Sequence, residues 1–326
     1  MPDLTRRALL SAAAASAFSA AVPHRAAAGA ARRLVCDSRI LEVNGKAAKV
    51  FGLGESGAGL ALREDERFRV ALVNRLTEPT LVHWHGQTPP NAQDGVPGVT
   101  QPALKPGGEY HYDFQPLAGS HWMHSHHGLQ RQNLLSAPLI VHSREDLRAD
   151  LQDHTVFLHD FTFRDPEEIL DELVSVAAHG DMGAGAHDMG AHQGMDMHGH
   201  GPPGMDAMAA HLNDVEYDAY LANDRTLDDP EIVRVERGGR VRLRIVNGAS
   251  ATNFLIDLGR LQGRIVATDG NAVQPAAASG LLPIAMAQRI DVVVQLPAEE
   301  GAWPVFAVRE GDAQRTGIVL ATRNAT

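Results

Sequence analysis

The sequence predicts a mostly β protein with two consecutive β-sandwich domains. Short apolar runs alternate with polar residues at period 2, and Gly, Pro, Asn and Asp punctuate them at sandwich spacing. The clearest runs are Phe68 to Val73, Leu139 to Val141, Val241 to Val246 and Ile290 to Val294. The length of 326 residues exceeds what a single hydrophobic core usually supports, which favours two domains.

The amino terminus has the outline of a cleavable export signal. Thr5-Arg6-Arg7-Ala8-Leu9-Leu10 precedes an alanine-rich apolar run to Val22 and small residues to Ala31. This pattern indicates a twin-arginine signal over residues 1–31 and therefore a periplasmic protein. A buried helix or a membrane span is the alternative, but the run is short for a bilayer. No later segment is apolar enough for stable membrane insertion.

A repeated sequence pattern indicates how the rest of the chain divides into domains. Arg69 to Asn74 and Arg240 to Asn247 are both alternating strands that end in an asparagine. We therefore expect related sandwich domains over residues 34–143 and 154–322, with a linker at 144–153. One helix is predicted from Asp165 to Ala178, because Pro166, Glu167 and Glu168 suit a first helical turn.

Residues 179–211 interrupt the strand pattern with a methionine- and histidine-rich insertion. The segment holds six of the nine methionines and six of the seventeen histidines, with few large aliphatic side chains. One interpretation is a solvated low-complexity loop. The other is a secondary copper site, because thioethers and imidazoles bind copper well. Its candidate ligands are Met182, Met189, Met195, Met197, His198 and His200.

Charge and cysteine content exclude several classes of protein. The formal net charge is -11, which argues against a nucleic-acid partner because such a partner requires clustered Lys and Arg. Cys36 is the only cysteine, so neither an intrachain disulfide nor a multi-cysteine zinc site can form. The simplest interpretation of Cys36 is a free thiol without a role.

Two histidine pairs are the strongest functional signal. His83-Trp84-His85 follows a β-branched approach, and His124-Ser125-His126 repeats the arrangement about forty residues later. Residues i and i+2 of a strand project from the same face about 6 to 7 Å apart. If the two strands are neighbours, four imidazoles converge on one volume. Such ligands suit copper, zinc, iron or nickel, and ligand type alone leaves the metal open.

The neighbouring histidines and tryptophans are expected to lie outside this site. His121 and His127 lie at odd offsets from the pairs, and Trp84 and Trp122 are predicted to point into the sandwich cores. Four further histidines of the two expected domains lack a pairing signal and are interpreted as packed or surface residues: His111, His142, His154 and His159.

The sequence around both pairs resembles the multicopper oxidases, specifically laccases, cuprous oxidases and copper-resistance oxidases. The resemblance runs from His83-Trp84-His85-Gly86-Gln87 through Asp94-Gly95-Val96-Pro97-Gly98 to Gly119–Gly128 and Pro138-Leu139-Ile140-Val141. It is more diffuse in the second half, at Tyr220 to Asn223 and Asp269-Gly270-Asn271. It implies cupredoxin-like Greek-key sandwiches that bind copper and reduce dioxygen with electrons from a phenolic or Cu(I) donor.

The resemblance also implies roles for individual residues. His83 matches a ligand of the type 2 copper, and His85, His124 and His126 match ligands of the type 3 pair. Asp94 matches an acidic residue beside the cluster that supplies protons, which oxygen reduction consumes. The alternative for Asp94 is an ordinary Asp-Gly turn.

The family pattern has a further part that this sequence lacks. The family's carboxyl-terminal copper motifs include a His-Cys-His segment, whereas this sequence has no histidine after His211 and no cysteine besides Cys36. We therefore expect that a third domain is missing or comes from another subunit, and that this polypeptide alone is inactive. A periplasmic protein that sequesters copper without catalysis is the alternative, and a scaffold relative with an envelope role is a third.

Overall fold

The computed structural model describes residues 31–54, 59–180 and 213–325, and confirms a mostly β fold. The first half contains eight strands: β1 (Arg32–Val43), β2 (Lys46–Leu53), β3 (Leu60–Arg63), β4 (Phe68–Asn74), β5 (Val82–His85), β6 (Glu109–Phe114), β7 (Gly119–Ser125) and β8 (Ser136–His142). Short 3-10 helices lie at Asn91–Gln93 and Asp146–Arg148. The predicted export signal at 1–31 falls almost wholly outside the described residues.

The second half contains one helix and eleven further strands. They are β9 (Gln152–Phe161), α1 (Pro166–Gly180), β10 (Ala219–Ala222), β11 (Glu231–Arg234), β12 (Arg240–Asn247), β13 (Phe254–Asp257), β14 (Gln262–Thr268), β15 (Asn271–Ala278), β16 (Leu282–Ile284), β17 (Arg289–Gln295), β18 (Ala302–Arg309) and β19 (Arg315–Ala321). All four apolar runs singled out in the sequence lie within strands: β4, β8, β12 and β17.

Each half is a sandwich of two sheets. The sheets of the first half have the orders β2-β1-β4-β6 and β3-β8-β7-β5. Those of the second half have the orders β10-β9-β12-β17-β14-β15 and β11-β19-β18-β13-β16. Both halves place one parallel pair in each sheet, β1 with β4 and β3 with β8, then β9 with β12 and β11 with β19. The halves therefore share this arrangement of parallel pairs, although the sheets of the second half are larger, with six and five strands against four and four.

Separate apolar cores hold the two sandwiches together. Phe68, Trp84 and Tyr112 lie in the first core, and Phe254 and Trp303 lie in the second. Phe68 stacks on Phe114 and meets Trp84 edge to face, with ring centroids 4.5 and 4.7 Å apart. Burial of such side chains is the main favourable contribution to folding, at about 2 to 3 kcal/mol for each large residue.

Helix α1 forms where the sequence predicted it, with a shifted end. Asp165 Oδ1 accepts the backbone N–H of Glu167, so Asp165 caps the first turn. The helix extends to Gly180 rather than to Ala178. Among the described residues, no helix is long and apolar enough to cross a membrane. The candidate ligands Met182, Met189, Met195, Met197, His198 and His200 lie outside the described residues.

The two sandwiches contact each other directly. Leu41, Val43 and Leu134 of the first half form one apolar cluster with Phe161 and Leu221 of the second. Trp122 packs with Phe157 and Val246 in another. β1 and β7, which belong to different sheets of the first sandwich, therefore both meet the second sandwich.

Candidate metal centre

His83 and His85 lie on β5, and His124 lies on the neighbouring antiparallel strand β7. β5 pairs with β7 in a register that places His83 opposite His124 and His85 opposite Trp122. Directly opposed residues share a face of a sheet, and so do residues two apart on one strand. His83, His85 and His124 therefore project from the same face. The expectation that both pairs occupy neighbouring strands agrees with this register.

The imidazoles converge as a compact cluster. The ring centroid of His83 lies 5.8 Å from that of His85 and 5.5 Å from that of His124. One ring nitrogen of each of these three residues lies within 4.8 Å of the others. His126 follows the last residue of β7, and its ring centroid lies 5.9 Å from that of His83 and 6.0 Å from that of His124. His126 borders the cluster but is outside the closest group of three.

Backbone carbonyls fix which nitrogen of two rings is available to a metal. His83 Nδ1 lies 2.8 Å from the carbonyl oxygen of Asp94, and His124 Nδ1 lies 2.9 Å from that of Ser125. A carbonyl can only accept, so a neutral ring donates from Nδ1 and leaves the Nε2 lone pair free. A hydrogen bond from the ring nitrogen that does not bind the metal is the arrangement that orients imidazole ligands in metal sites.

Burial lowers the pKa of two imidazoles of the cluster. The pKa of His124 is lowered to about 3, chiefly by burial, with a smaller contribution from the neighbouring imidazoles and Arg131. The pKa of His85 is lowered to about 4 by burial and by the guanidinium of Arg289. Neutral imidazole is the form that binds metals, so both rings are ready to act as ligands at neutral pH.

Asp94 contacts the cluster, and its main chain makes the shorter contact. Its carboxylate Oδ1 lies 3.4 Å from His83 Nδ1, with the side chain about one-third exposed. Gly95, which follows at φ +80°, brings this turn close to the Val82 main chain in a way that a Cβ would prevent. The structure therefore places Asp94 beside the cluster and adds an orienting role for its carbonyl.

Gln130 is a functional candidate that the sequence reasoning missed. Its buried side chain accepts from Thr80 Oγ1 and from Ser125 Oγ, each at 2.7 Å, and donates to Pro79 O at 2.8 Å. Thr80 precedes β5 and Ser125 ends β7, so one amide joins the two histidine strands. A lone glutamine in a loop carries no sequence signal for this role.

One of the two tryptophan predictions is wrong. Trp84 lies in the first core, as expected, because it sits one residue from each histidine of its pair. Trp122 instead shares the face of His124, two residues away, and its ring centroid lies 4.3 Å from that of His124 and 5.2 Å from that of His85. Its other contacts, Phe157 and Val246, belong to the second sandwich. Period 2 applied to residues 122 and 124 would have shown this.

The remaining histidines lie elsewhere. His111 is exposed beside Glu109, His142 lies 3.9 Å from Asp153, and His154 lies 3.3 Å from Glu231. His159 is buried, with Nε2 3.3 Å from Ser136 Oγ. These positions agree with packed or surface roles. Within the described ranges, His83, His85 and His124 are the only group of three or more potential ligands that comes together.

Cys36 is not disposed to bind a metal. It is fully buried in the first core, and burial raises the pKa of its thiol to about 12. The thiolate is the form that binds copper, so this position disfavours it. The description of Cys36 as an inert thiol agrees with this environment.

The donor set at the cluster fits copper. Neutral imidazoles with a free Nε2, positioned by second contacts to carbonyls, are ligands that copper accepts readily. The fold and the cluster together define a class of metal-binding β-sandwich proteins. Its features here are two cupredoxin-like sandwiches and three imidazoles on the sheet that contains β5 and β7.

Comparison with known proteins identifies the family. The multicopper oxidase family models match residues 40–146 and 152–325. The chain therefore belongs to the multicopper oxidase family, which is a family of copper-binding oxidoreductases that use dioxygen and a reducing substrate.

Individual relatives are similar along most of the chain. A copper resistance protein A homolog of Pseudomonas syringae pv. tomato is 30% identical over 296 residues, which cover 86% of this chain and 48% of the relative. The multicopper oxidase MmcO of Mycobacterium tuberculosis is 30% identical over 319 residues, covering 95% and 60%. The chain thus spans about half the length of the curated relatives it matches.

Solved structures agree on the fold. The multi-copper oxidase from Pseudomonas thermotolerans superposes with a TM-score of 0.68 at 22% identity, covering 91% of this chain and 64% of that one. The laccase from Botrytis aclada gives a TM-score of 0.68 at 22% identity, covering 90% and 52%. These likenesses confirm the fold class of cupredoxin-like sandwiches.

Proposed function

We propose that this protein is part of a copper-dependent oxidoreductase that couples one-electron oxidation of a phenol-like or Cu(I) donor to four-electron reduction of dioxygen to water. The observation that carries the proposal is the convergence of His83, His85 and His124 within 4.8 Å on one sheet face. The copper resistance proteins among the relatives support a link to copper tolerance.

Four imidazoles carry the binding part of the proposal. His83 would hold the type 2 copper, and His85, His124 and His126 would hold the type 3 pair. Copper bound there supplies the one-electron redox chemistry that the reaction needs. The carbonyls of Asp94 and Ser125 hold Nδ1 of His83 and His124, so both rings present Nε2 without reorganisation.

Asp94 is proposed to move protons. Reduction of one dioxygen to two waters takes up four electrons and four protons, so a group that connects the cluster with solvent is required. The Asp94 carboxylate is about one-third exposed and lies 3.4 Å from His83 Nδ1. It therefore reaches both solvent and the edge of the cluster.

The remaining elements of the proposal concern organisation and location. We propose domains at 34–143 and 154–322 joined by a linker at 144–153, export to the periplasm by the signal at 1–31, and secondary copper binding by the insertion at 179–211. Cys36 does not suit an electron-accepting type 1 copper, which needs a thiolate. We therefore propose that a partner domain or subunit supplies that copper and the other cluster ligands.

Copper titration tests the binding proposal. Metal-free protein is titrated with Cu(II), and bound copper is followed by electron paramagnetic resonance. We expect the His83→Ala and His124→Ala variants to weaken Cu(II) binding on the order of 100-fold, since even outer contacts of metal ligands are worth about 10- to 100-fold in affinity. His111→Ala is the matched control, because His111 is exposed and away from the cluster. Equal binding by all four proteins would contradict the proposal.

Oxygen uptake separates the oxidase from its alternative, a copper-sequestering protein. We expect residues 1–326 alone to bind copper without oxidase turnover, and to gain turnover when the partner domain or subunit is added. Robust oxygen consumption by this polypeptide alone, with a phenol or Cu(I), would contradict the proposed division of ligands. A protein that binds copper yet stays inactive with the partner present would support sequestration instead.

A further inference from the structure

The contact between the two sandwiches contains a buried arginine at the end of the histidine strands. The β5–β7 ladder ends at the pair of His85 with Trp122, where β5 itself ends. Arg289, the first residue of β17 in the second sandwich, enters at this point, with its side chain 5% exposed. It reaches the main chain of both strands.

The contact with β7 is a hydrogen bond to the main chain. Arg289 Nε donates to the carbonyl oxygen of Ser120 at 3.1 Å. The guanidinium also donates from Nη1 to Ala287 O at 3.2 Å, and Nη1 lies 3.2 Å from Asp269 Oδ1. Asp269 and Ala287 belong to the second sandwich, so the side chain is anchored there while its Nε holds β7.

The contact with β5 is steric. Gly86 directly follows His85 and has φ +91°, a conformation that favours glycine. A Cβ at Gly86 would lie 2.5 Å from Arg289 Nη2 and 2.5 Å from His121 Nδ1. The guanidinium therefore packs tightly against the main chain immediately after a candidate copper ligand, with the ring of His121 beside it.

Other residues of the second sandwich hold the same point of β7. Ser120 Oγ donates to Asp291 Oδ1 at 2.6 Å. Arg244 Nη1 donates to Ser120 Oγ at 3.1 Å and to Asp291 Oδ2 at 3.0 Å. Ser120 is thus fixed through its side chain by two residues and through its carbonyl by Arg289.

We infer that Arg289, which belongs to the second sandwich, is a positioning residue that sets the spacing between β5 and β7. Its side chain bonds to β7 at Ser120 O, two residues before Trp122, and packs against Gly86, which directly follows the end of β5 at His85. A buried, multiply bonded guanidinium is hard to move, so it fixes both strands at once. This inference rests on the proposed copper site, and concerns a residue that no sequence pattern selects.

The test compares variants of buried arginines. Arg289→Met keeps the aliphatic length and removes the fork, and Arg289→Lys keeps the charge with a single head group. Arg309→Met is the matched control: Arg309 is equally buried in the second sandwich, but its partner Glu216 is exposed and lies away from the histidine strands. Each protein is titrated with Cu(II), with paramagnetic resonance spectra and thermal unfolding measured in parallel.

We expect Arg289→Met to weaken Cu(II) binding about 10- to 100-fold and to change the copper hyperfine pattern. Arg289→Lys should recover part of the affinity, and Arg309→Met should bind as the unaltered protein does. A folded Arg289→Met protein with unaltered affinity and spectrum would overturn the inference. An equal loss in Arg309→Met would also overturn it, because that would indicate general destabilisation.

A milder variant covers the case in which Arg289→Met does not fold. Asp269→Ala removes a half-exposed carboxylate that accepts from Arg289 N and pairs with its guanidinium. We expect a weaker loss of Cu(II) affinity in the same direction, and no change would overturn the inference. If the unaltered protein itself binds no Cu(II), the proposed copper site fails instead, which separates the two hypotheses.

Discussion

Each sandwich contains a corner of the same geometry, in which a buried asparagine ends a strand. Asn74 ends β4 and Asn247 ends β12, and both are fully buried. Asn74 Nδ2 donates to Glu78 O and Leu104 O at 2.8 Å, and its Oδ1 accepts from Leu76 N at 2.9 Å. Asn247 repeats all three bonds with Thr252 O, Ile284 O and Ala249 N at 2.9, 3.2 and 3.1 Å.

The similarity between the two corners extends to a turn whose backbone N–H donates to the carbonyl of each asparagine. Gly107 N donates to Asn74 O, and Ala287 N donates to Asn247 O. Gly107 has φ +75° and Ala287 has φ +67°. The corner demands this left-handed conformation even where alanine occupies it, although alanine is strained there by about 1 kcal/mol. The geometry of the corner is therefore common to both sandwiches.

The strands that follow the two corners differ in what they carry. β5 places His83 opposite His124 of β7 on the face away from the first core, whereas the corresponding ladder between β13 and β18 places Leu255 opposite Val308 on the equivalent face. Leu255 is partly buried, as His83 is, while its neighbours Phe254 and Ile256 face the second core. One backbone arrangement thus carries imidazoles in the first sandwich and aliphatic side chains at the equivalent positions of the second.

The largest expected effect comes from placing an imidazole in the second sandwich. Phe254→His should lower the free energy of unfolding by about 4 kcal/mol, because it removes a buried aromatic ring and buries a polar one opposite Arg309. It should bind no additional Cu(II), since a guanidinium faces it. Urea denaturation and copper stoichiometry measure both effects.

The control for this substitution is Leu255→His, one residue along β13 on the partly exposed face that corresponds to the histidine face of β5. That variant should lose much less stability. If either variant bound another copper ion, one imidazole on this backbone would be enough to create a site, and the comparison between the sandwiches would lose its meaning.

A smaller effect is expected from breaking each corner. Asn74→Ala and Asn247→Ala should each lower the free energy of unfolding by about 3 kcal/mol, because each leaves one buried N–H and two carbonyls without their partner. Only Asn74→Ala should also weaken Cu(II) binding, since its corner leads into β5. Thermal unfolding and Cu(II) titration separate the two outcomes.

Asn271→Ala is the control for the corners, because Asn271 is exposed and makes only a local bond to Asp269 O. It should change stability by less than about 0.5 kcal/mol. Equal weakening of copper binding by Asn74→Ala and Asn247→Ala would show that the corners act through overall stability and not through the histidine strand.

Local periodicity explains what the sequence could predict. Alternation located four of the strands, β4, β8, β12 and β17, and spacing of two placed His83 with His85 on one face. The same period predicted the burial of Trp84. The repeated asparagines also indicated two related sandwiches, because each one ends a strand of the same alternating pattern.

Contacts between residues that are distant along the chain explain which features of the site the sequence could not predict. Arg289 lies 169 residues from Ser120, and the alternating pattern of β17 gives no indication that its first side chain enters the other sandwich. Gln130 joins Thr80 to Ser125 from a loop without periodicity. The orienting carbonyl of Asp94 is a backbone group, which no residue type reveals. Pairings of this kind depend on packing between elements, which lies outside any local pattern.

The two indoles give the smallest and most selective comparison. Trp84 and Trp122 are both fully buried, but Trp84 Nε1 donates to Gln93 O at 3.0 Å, whereas Trp122 Nε1 has no acceptor among the described residues. Truncation to Phe removes a similar area from each, so the hydrogen bond decides the difference. Trp84→Phe should therefore cost about 1 kcal/mol more stability than Trp122→Phe.

Copper binding should show the reverse order for these two variants. The ring of Trp122 packs on His124 and His85, so Trp122→Phe should alter the paramagnetic spectrum of bound Cu(II), while Trp84→Phe should leave it unchanged. Urea denaturation and Cu(II) titration of the same two proteins measure this crossed pattern. If Trp84→Phe disturbed the copper spectrum and Trp122→Phe did not, the face assigned to the site from the β5–β7 register would be wrong.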